Sequence, residues 1–469
     1  MTWPTDTGGA GFEDRIVYDY NIWIPKRLIG NVEAVKRAAT LMRVERNGSS
    51  AVKIYSETDS HIILPRHLYS PEELRGKFPG VKIEQSFGVK CWRPAPAPAG
   101  SVRFEDQIQL RPRQVKAWEK LGSADFGVLN LGCGGGKTVL GLKKVANVGG
   151  PALVLVNSGA LLEQWSERAQ EFLGLDLSQI GTVQSGKREW DKPLVIGMVQ
   201  TIANLADEME PELRKRFRII LFDECHHMSA RTFLKTADLF SGQRFGLTAT
   251  PNRTDGLDLA YLSNLGPIFY SDLETDMTSD VIFVQTAFEL EEKDYCDRRK
   301  EFNRGIMYRN LGKIYRRNEL IAKHAIEALG RGRKLIVLTH NVEHTALMEA
   351  TFLDLNCDER YTTAIVTGNT KPKDRLPLIK SADVTFATYG VAEEALDVVQ
   401  LDTLFLATPF KKWGTMQQAK GRIERASEGK KKPLVLVYQD MNIGPAKAFC
   451  YSIMRGLKEN GFTYRTKAE

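Results

Sequence analysis

The sequence predicts an α/β chain, two parallel-sheet units in tandem behind a small α+β module, and three observations carry that expectation. Short, mostly apolar runs recur between helically spaced segments over residues 128–131, 152–156, 194–198, 218–222 and 245–248. A second set follows over residues 335–338, 363–366, 384–387, 403–407 and 434–438. Apolar runs of that length suit strands buried on both faces, with crossover helices between them. The third observation is residues 93–101, where proline alternates with alanine before a glycine and a serine. Such a stretch favours an extended spacer, so residues 1–92 are expected to stand apart. The remainder divides into 102–270 and 334–469, joined by a basic segment over 271–333.

Within residues 1–92, the runs 15–25 and 80–89 alternate as strands do, while 31–42 and 71–78 carry helical spacing. Residues 21–100 hold 13 basic against 7 acidic side chains, a balance that suits an accessory DNA-binding role. Trp23 or Trp92 would stack on a base if exposed, although tryptophans more often fill a core.

Bulk composition sets the class. A chain of 469 residues with 42% hydrophobic and 26% charged residues is ordinary globular protein of about three domains. No run of about 18 apolar residues occurs, and the first residues carry neither a basic nor an apolar leader pattern, so a cytoplasmic location is expected. Cys91, Cys133, Cys225, Cys296, Cys357 and Cys450 lie far apart, which argues against a disulfide framework or a zinc cluster. Net charge is only +7, but residues 298–334 hold 12 Lys/Arg against 3 Asp/Glu. That local excess fits a polyanion or, more blandly, a solvated helix face.

The chemistry begins at Leu131-Gly132-Cys133-Gly134-Gly135-Gly136-Lys137-Thr138, between a predicted strand and a predicted helix. Glycines let several backbone N–H groups converge on a phosphate, and the helix N-terminus adds partial positive charge. Lys137 would then reach the β- and γ-phosphates, and the Thr138 hydroxyl a Mg²⁺ ion. Leu131 stands where the strict pattern has glycine. Further on, Asp223 and Glu224 follow the apolar run 218–222. A carboxylate at such a strand tip suits a phosphate-bound Mg²⁺, and a second beside it can orient or deprotonate water.

Gly134-x-Gly136-Lys137-Thr138, Asp223-Glu224-Cys225-His226, Thr248-Ala249-Thr250 and Gln418-x-x-Gly421-Arg422-x-x-Arg425 resemble motifs I, II, III and VI of helicase superfamily 2. The resemblance implies a P-loop NTPase with two RecA-like domains that hydrolyses ATP with Mg²⁺ when nucleic acid is bound. It makes Lys137, Asp223, Glu224, Gln418, Arg422 and Arg425 the catalytic set, the two arginines stabilising charge on the γ-phosphate. Gln114 would read adenine, the three loop glycines would hold phosphate, and Asp397 would approach the nucleotide. Ser158, Gly159 and Thr201, in stretches similar to motif Ia and the box after it, would hold a nucleic-acid backbone. Thr339, Thr367 and Thr388, from segments similar to motif IV, the following loop and motif V, would do the same, joined by Arg253. The motif V glycine is here Ala395.

The DECH form of motif II and the extended box from Thr248 to Asp258 resemble those of duplex-DNA motors: repair helicases, restriction-enzyme translocation subunits and phage helicases of the UvsW type. That implies work on forked or branched duplex, such as branch migration or fork regression, in a bacterial or phage-infected cytoplasm, with a monomer as the working expectation. In the basic run, Arg309, Arg316 and Arg317 are the expected DNA contacts. Two other readings compete. An RNA helicase would use the same backbone-holding loops. A duplex-RNA sensor would need signalling domains, for which the stretch after Asp440 is expected to be too short.

Overall fold

The computed structural model describes residues 15–18, 21–45, 48–84, 104–132, 134–227, 230–237, 239–249, 257–274, 276–391, 398–408 and 413–469. The chain forms two compact units, Met1–Glu274 and Thr275–Glu469. The expected spacer and Cys91, Trp92 and Cys133 lie outside the described residues.

The first unit opens with a module of strands β1 (Arg15–Tyr18), β2 (Asn21–Pro25), β3 (Thr40–Glu45), β4 (Gly48–Lys53), β5 (Ser56–Glu57), β6 (His61–Pro65) and β7 (Lys82–Glu84). Five of them form a sheet in the order β5-β6-β2-β1-β7, and β3 pairs with β4 as an antiparallel ribbon. The helix expected over 31–42 is shorter. It runs Val32–Ala38, capped by Asn31 Oδ1 accepting from Ala34 N at 3.0 Å. Residues from Thr40 onward are strand instead, because Leu41 pairs with Val52 and cross-strand pairing outweighs weak helical propensity. The second helix, Pro71–Lys77, is as expected, started by a capping box between Ser70 and Glu73.

The module does not stand apart. Its core of Ile16, Ile22, Ile24, Ile62, Leu64 and Leu74 continues into Leu257 and Ala260. His67 N donates to Ser263 O at 2.8 Å, and the His67 ring packs 4.2 Å from that of Phe126.

The rest of the unit is built on β8 (Gly127–Leu131), β9 (Ala152–Val156), β10 (Ile180–Gln184), β11 (Lys187–Arg188), β12 (Leu194–Met198), β13 (Ile219–Asp223), β14 (Gln243–Thr248) and β15 (Ile268–Asp272). Their order is β11-β10-β12-β9-β13-β14-β8-β15, parallel throughout except for β11. Residues of β8, β9 and β13 are buried along their whole length, which is why these runs read as continuously apolar.

The second unit carries β16 (Asp280–Thr286), β17 (Leu335–Thr339), β18 (Thr363–Val366), β19 (Val384–Thr388), β20 (Thr403–Leu406), β21 (Leu434–Asp440) and β22 (Arg465–Ala468). All pair in parallel, in the order β18-β19-β17-β20-β21-β16-β22. The segment expected only to connect the units therefore supplies this sheet with β16 and the helices Arg304–Gly312 and Tyr315–Gly330. Within β16 the short apolar run 281–284 puts Val281, Phe283 and Val284 in the core.

Candidate nucleotide site and nucleic-acid surface

In a parallel sheet all strands deliver their carboxyl ends to one edge, where ligands bind. Here β8, β13 and β14 are neighbours, with Asp223 abreast of Leu247 and Thr248 abreast of Asn130. The glycine loop, the Asp223-Glu224 pair and Thr248 therefore meet at that edge.

The loop turns through Gly134 and Gly136 at φ 81° and 84°, a left-handed backbone that favours glycine. Gly136 caps the helix Lys137–Val148, so the loop feeds the helix N-terminus that the phosphate reading requires. A Cβ at Gly136 would lie 1.9 Å from Gln114 Nε2, so any side chain there would displace that amide as well as strain the left-handed backbone. Gln114 Oε1 accepts from Arg111 N at 3.0 Å, starting the helix Pro112–Ser123. The same residue thus holds a helix start and faces the glycine loop.

Lys137 Nζ lies 3.4 Å from Glu224 Oε1 and donates to Leu131 O at 3.3 Å. Thr138 follows it in the first helical turn, partly exposed. Asp223 is 4% exposed, and both of its oxygens are held: Trp165 Nε1 donates to Oδ2 at 2.7 Å and Glu224 N to Oδ1 at 3.0 Å. Burial, and then the neighbouring Glu224, push the Asp223 carboxyl up to about 6, against the pull of Trp165 and Lys137. Glu224 sits at φ 45°, a strained backbone of about 1–3 kcal/mol for a non-glycine residue. That turn brings its carboxylate to Lys137 on one side and 3.4 Å from His226 Nδ1 on the other. His226 Nδ1 also meets Thr248 Oγ1 at 2.7 Å. A polar chain Lys137, Glu224, His226, Thr248 thereby links three of the expected motifs. Burial raises the Cys225 thiol, which is inert within the core.

The residue types at this edge suit Mg²⁺. Asp223 and Thr138 are hard donors, and among the described residues no group of three or more His, Cys, Asp or Glu could cage a metal. Mg²⁺ in phosphate sites is typically held in that sparse way, by one or two protein oxygens plus the phosphates.

Sequence reasoning missed Trp165. It is fully buried on the helix Gly159–Leu173, and nothing in the spacing signals that it would meet a strand tip 58 residues away. Ser158 Oγ accepts from Leu161 N at 3.3 Å and caps that helix, leaving the exposed Gly159 as the open backbone of the pair. Thr201 is partly exposed in the helix Val199–Leu205. Thr250, Arg253 and Asp397, and the Gln418 side chain, lie outside the described residues.

In the second unit, Arg422 and Arg425 fall at the end of the helix Trp413–Ile423 and just after it, both partly exposed. Four expected contacts are buried instead. Thr339 is wholly buried, its hydroxyl engaged with Thr345 Oγ1 at 2.6 Å; Thr367 Oγ1 accepts from Asn369 N at 3.3 Å and is 3% exposed. Both shape their loops from within, and Thr388 at the end of β19 is nearly as buried. Arg317 is no surface cation either. It is 0% exposed and forms a fork with Asp440, 2.8 Å from Nε to Oδ1 and 3.0 Å from Nη2 to Oδ2. Arg304, Arg309, Lys313 and Arg316 are exposed, as is the Tyr315 ring.

The comparisons with known proteins follow these motifs. Residues 107–253 match the family model described as type III restriction enzyme, res subunit. The chain is 28% identical over 353 residues to the putative ATP-dependent RNA helicase L396 of Acanthamoeba polyphaga mimivirus, covering 73% of this chain and 65% of that one. It is 32% identical over 245 residues to the DNA 3'-5' translocase XPB2 of Sulfurisphaera tokodaii, covering 48% and 53%. The chain thus spans less than two thirds of the length of these relatives. Among solved structures, a fragment of a putative HsdR subunit of a type I restriction enzyme from Vibrio vulnificus shares the fold, with a TM-score of 0.53 and 16% identity over 76% of this chain and 67% of that one.

Proposed function

We propose that this chain, which matches the res-subunit family model over residues 107–253, is a superfamily 2 helicase, an ATP-driven motor that acts on forked or branched duplex DNA. The observation that carries the reading is the polar chain from Lys137 through Glu224 and His226 to Thr248, at the edge where the glycine loop opens.

Its parts have separable tasks. The loop backbone and Lys137 would bind the β- and γ-phosphates of ATP, with the Gln114 amide facing the same loop. Mg²⁺, held by Asp223 and Thr138, would neutralise charge developing on the phosphates. Trp165 and the Glu224 N–H keep the Asp223 carboxylate oriented. Glu224 would take the proton of the attacking water, with the Lys137 ammonium 3.4 Å away. Arg422 and Arg425 would stabilise charge on the departing γ-phosphate. His226 and Thr248 would report the state of Glu224 to the segment that follows β14.

Gly159, Thr201 and the exposed Arg304, Arg309 and Arg316 are proposed to hold phosphates of the nucleic-acid backbone. Moving a junction breaks about as many base pairs as it makes, whereas plain unwinding costs about 1.4 kcal/mol per stacked step. A two-lobed motor is then needed mainly for direction. RNA is the second reading, favoured by the name of the mimiviral relative. ATPase and strand-displacement rates on single strand, duplex, fork, four-way junction and RNA decide between them. The proposal expects the largest stimulation from branched DNA, and stimulation by RNA alone would reverse it.

A further inference from the structure

The chain passes from the first unit to the second after Glu274, and on each side of that crossing it is tied to a nucleotide motif. In the first unit, Arg113 stands beside Gln114 and holds Asp272 with a fork: Nε to Oδ2 at 2.7 Å and Nη2 to Oδ1 at 2.6 Å. The same Nη2 donates to Glu274 O. Gly132, which opens the glycine loop, donates its N–H to Asp272 O at 2.9 Å, and a Cβ there would lie 3.1 Å from Leu273 O. The departing strand is thereby pinned to the glycine loop and to the helix that presents Gln114.

In the second unit, the arriving chain is bound to Glu424, which stands between Arg422 and Arg425 in sequence. Met277 N donates to Glu424 O at 3.0 Å, Ser279 N donates to Glu424 Oε1 at 2.7 Å, and Ala426 N donates to Asp276 Oδ2 at 3.4 Å. Glu424 is 0% exposed, and its charge is met by Lys420 Nζ at 2.6 Å, itself 3.9 Å above the Phe462 ring. A buried carboxylate is costly unless paired and hydrogen-bonded; Lys420, one helical turn earlier, supplies the charge, and Ser279 N, from the arriving chain, supplies the hydrogen bond to Oε1.

We infer that Arg113 and Glu424 are positioning residues that fasten the two ends of the inter-unit chain to the glycine loop and to the arginine-bearing helix. Hydrolysis and nucleic-acid binding are then coupled through the linker these residues fasten. Neither residue touches the reacting atoms; each acts through the element it fastens. The inference rests on the ATP-driven reading above and adds the route by which hydrolysis and nucleic-acid binding are coupled.

The test uses the full chain with Arg113→Met, Asp272→Asn and Glu424→Gln, the last keeping an acceptor for Ser279 N. ATP hydrolysis is measured without nucleic acid and with saturating forked DNA, and thermal midpoints are recorded alongside. The expected result is a fall of about fivefold or more in the ratio of stimulated to basal rate, with the basal rate within about twofold of wild type. Arg113→Lys, which keeps the charge but not the fork, should recover part of the ratio. Unchanged ratios overturn the inference, and so do basal and stimulated rates that fall together. A wild-type chain whose hydrolysis is indifferent to nucleic acid overturns the parent reading, and this inference with it.

Discussion

Asp223 and Glu224 are adjacent in sequence and differ in almost every physical respect. Asp223 ends a strand, buried and held by two donors, whereas Glu224 occupies a left-handed turn with partners on both sides. The sequence made the pair visible because a carboxylate doublet after an apolar run is a local signal. The φ of 45° was not legible, since strain at a non-glycine residue is held by surrounding structure. Glu224→Gln should lower turnover by about 10²- to 10⁴-fold while ATP still binds, checked by a single-turnover assay beside a nucleotide-binding titration. Loss of binding in step with turnover would instead make Glu224 a structural residue. Trp165→Phe removes one donor to a buried carboxylate and should cost about 1–3 kcal/mol of stability, measured by denaturant unfolding.

At the scale of the element, the helix Tyr315–Gly330 shows how charge alone misleads. Arg316 and Arg317 are equivalent in composition, yet Arg317 shares a face with the buried Ile321, Ala325 and Ala328, at helical spacing. Weighing that periodicity before the charge would have moved Arg317 from the surface to the core. Arg317→Ala strands Asp440 and should cost about 3–5 kcal/mol, visible as a lower melting point. Arg309→Ala and Arg316→Ala should leave the midpoint in place and reduce the salt slope of DNA binding by about 0.9 each. An unchanged slope would make them an ordinary solvated face.

The neighbouring helix Val342–Leu355 carries a pH dependence. His344 is buried, with Nε2 3.1 Å from Asn318 Oδ1, and burial lowers its pKa from 6.5 to about 3. Because the folded value is depressed, the stability is complete above 6.5 and is lost as pH falls from 6.5 toward 3. At pH 5 the loss attributable to this one ring is about 2 kcal/mol. Melting temperatures from pH 7.5 to 5 should therefore fall, and a His344→Asn variant should show a shallower fall than wild type.

For the whole molecule, both sheets were legible because parallel strands buried on two faces leave continuous apolar runs. The glycine loop and the carboxylate doublet were legible because phosphate and metal chemistry dictate local residue types. What escaped were long-range pairings: β16 joining a sheet whose next strand in chain order begins 49 residues after its last residue, and the first module sharing a core with Leu257 and Ala260. No spacing announces such contacts, since they are fixed by burial once neighbouring elements have formed. The proposed ATP chemistry is thus carried by local motifs, and the coupling that would make the chain a motor depends on contacts made at a distance.

The central claim is that ATP bound at the Lys137 loop is hydrolysed in response to DNA. The most direct measurement is the steady-state ATPase rate of the pure chain with and without a forked duplex, with Lys137→Ala in parallel. The account predicts a rate that rises with DNA and disappears, with and without DNA, in the variant. A rate that is the same with and without DNA, or that survives Lys137→Ala, would contradict it.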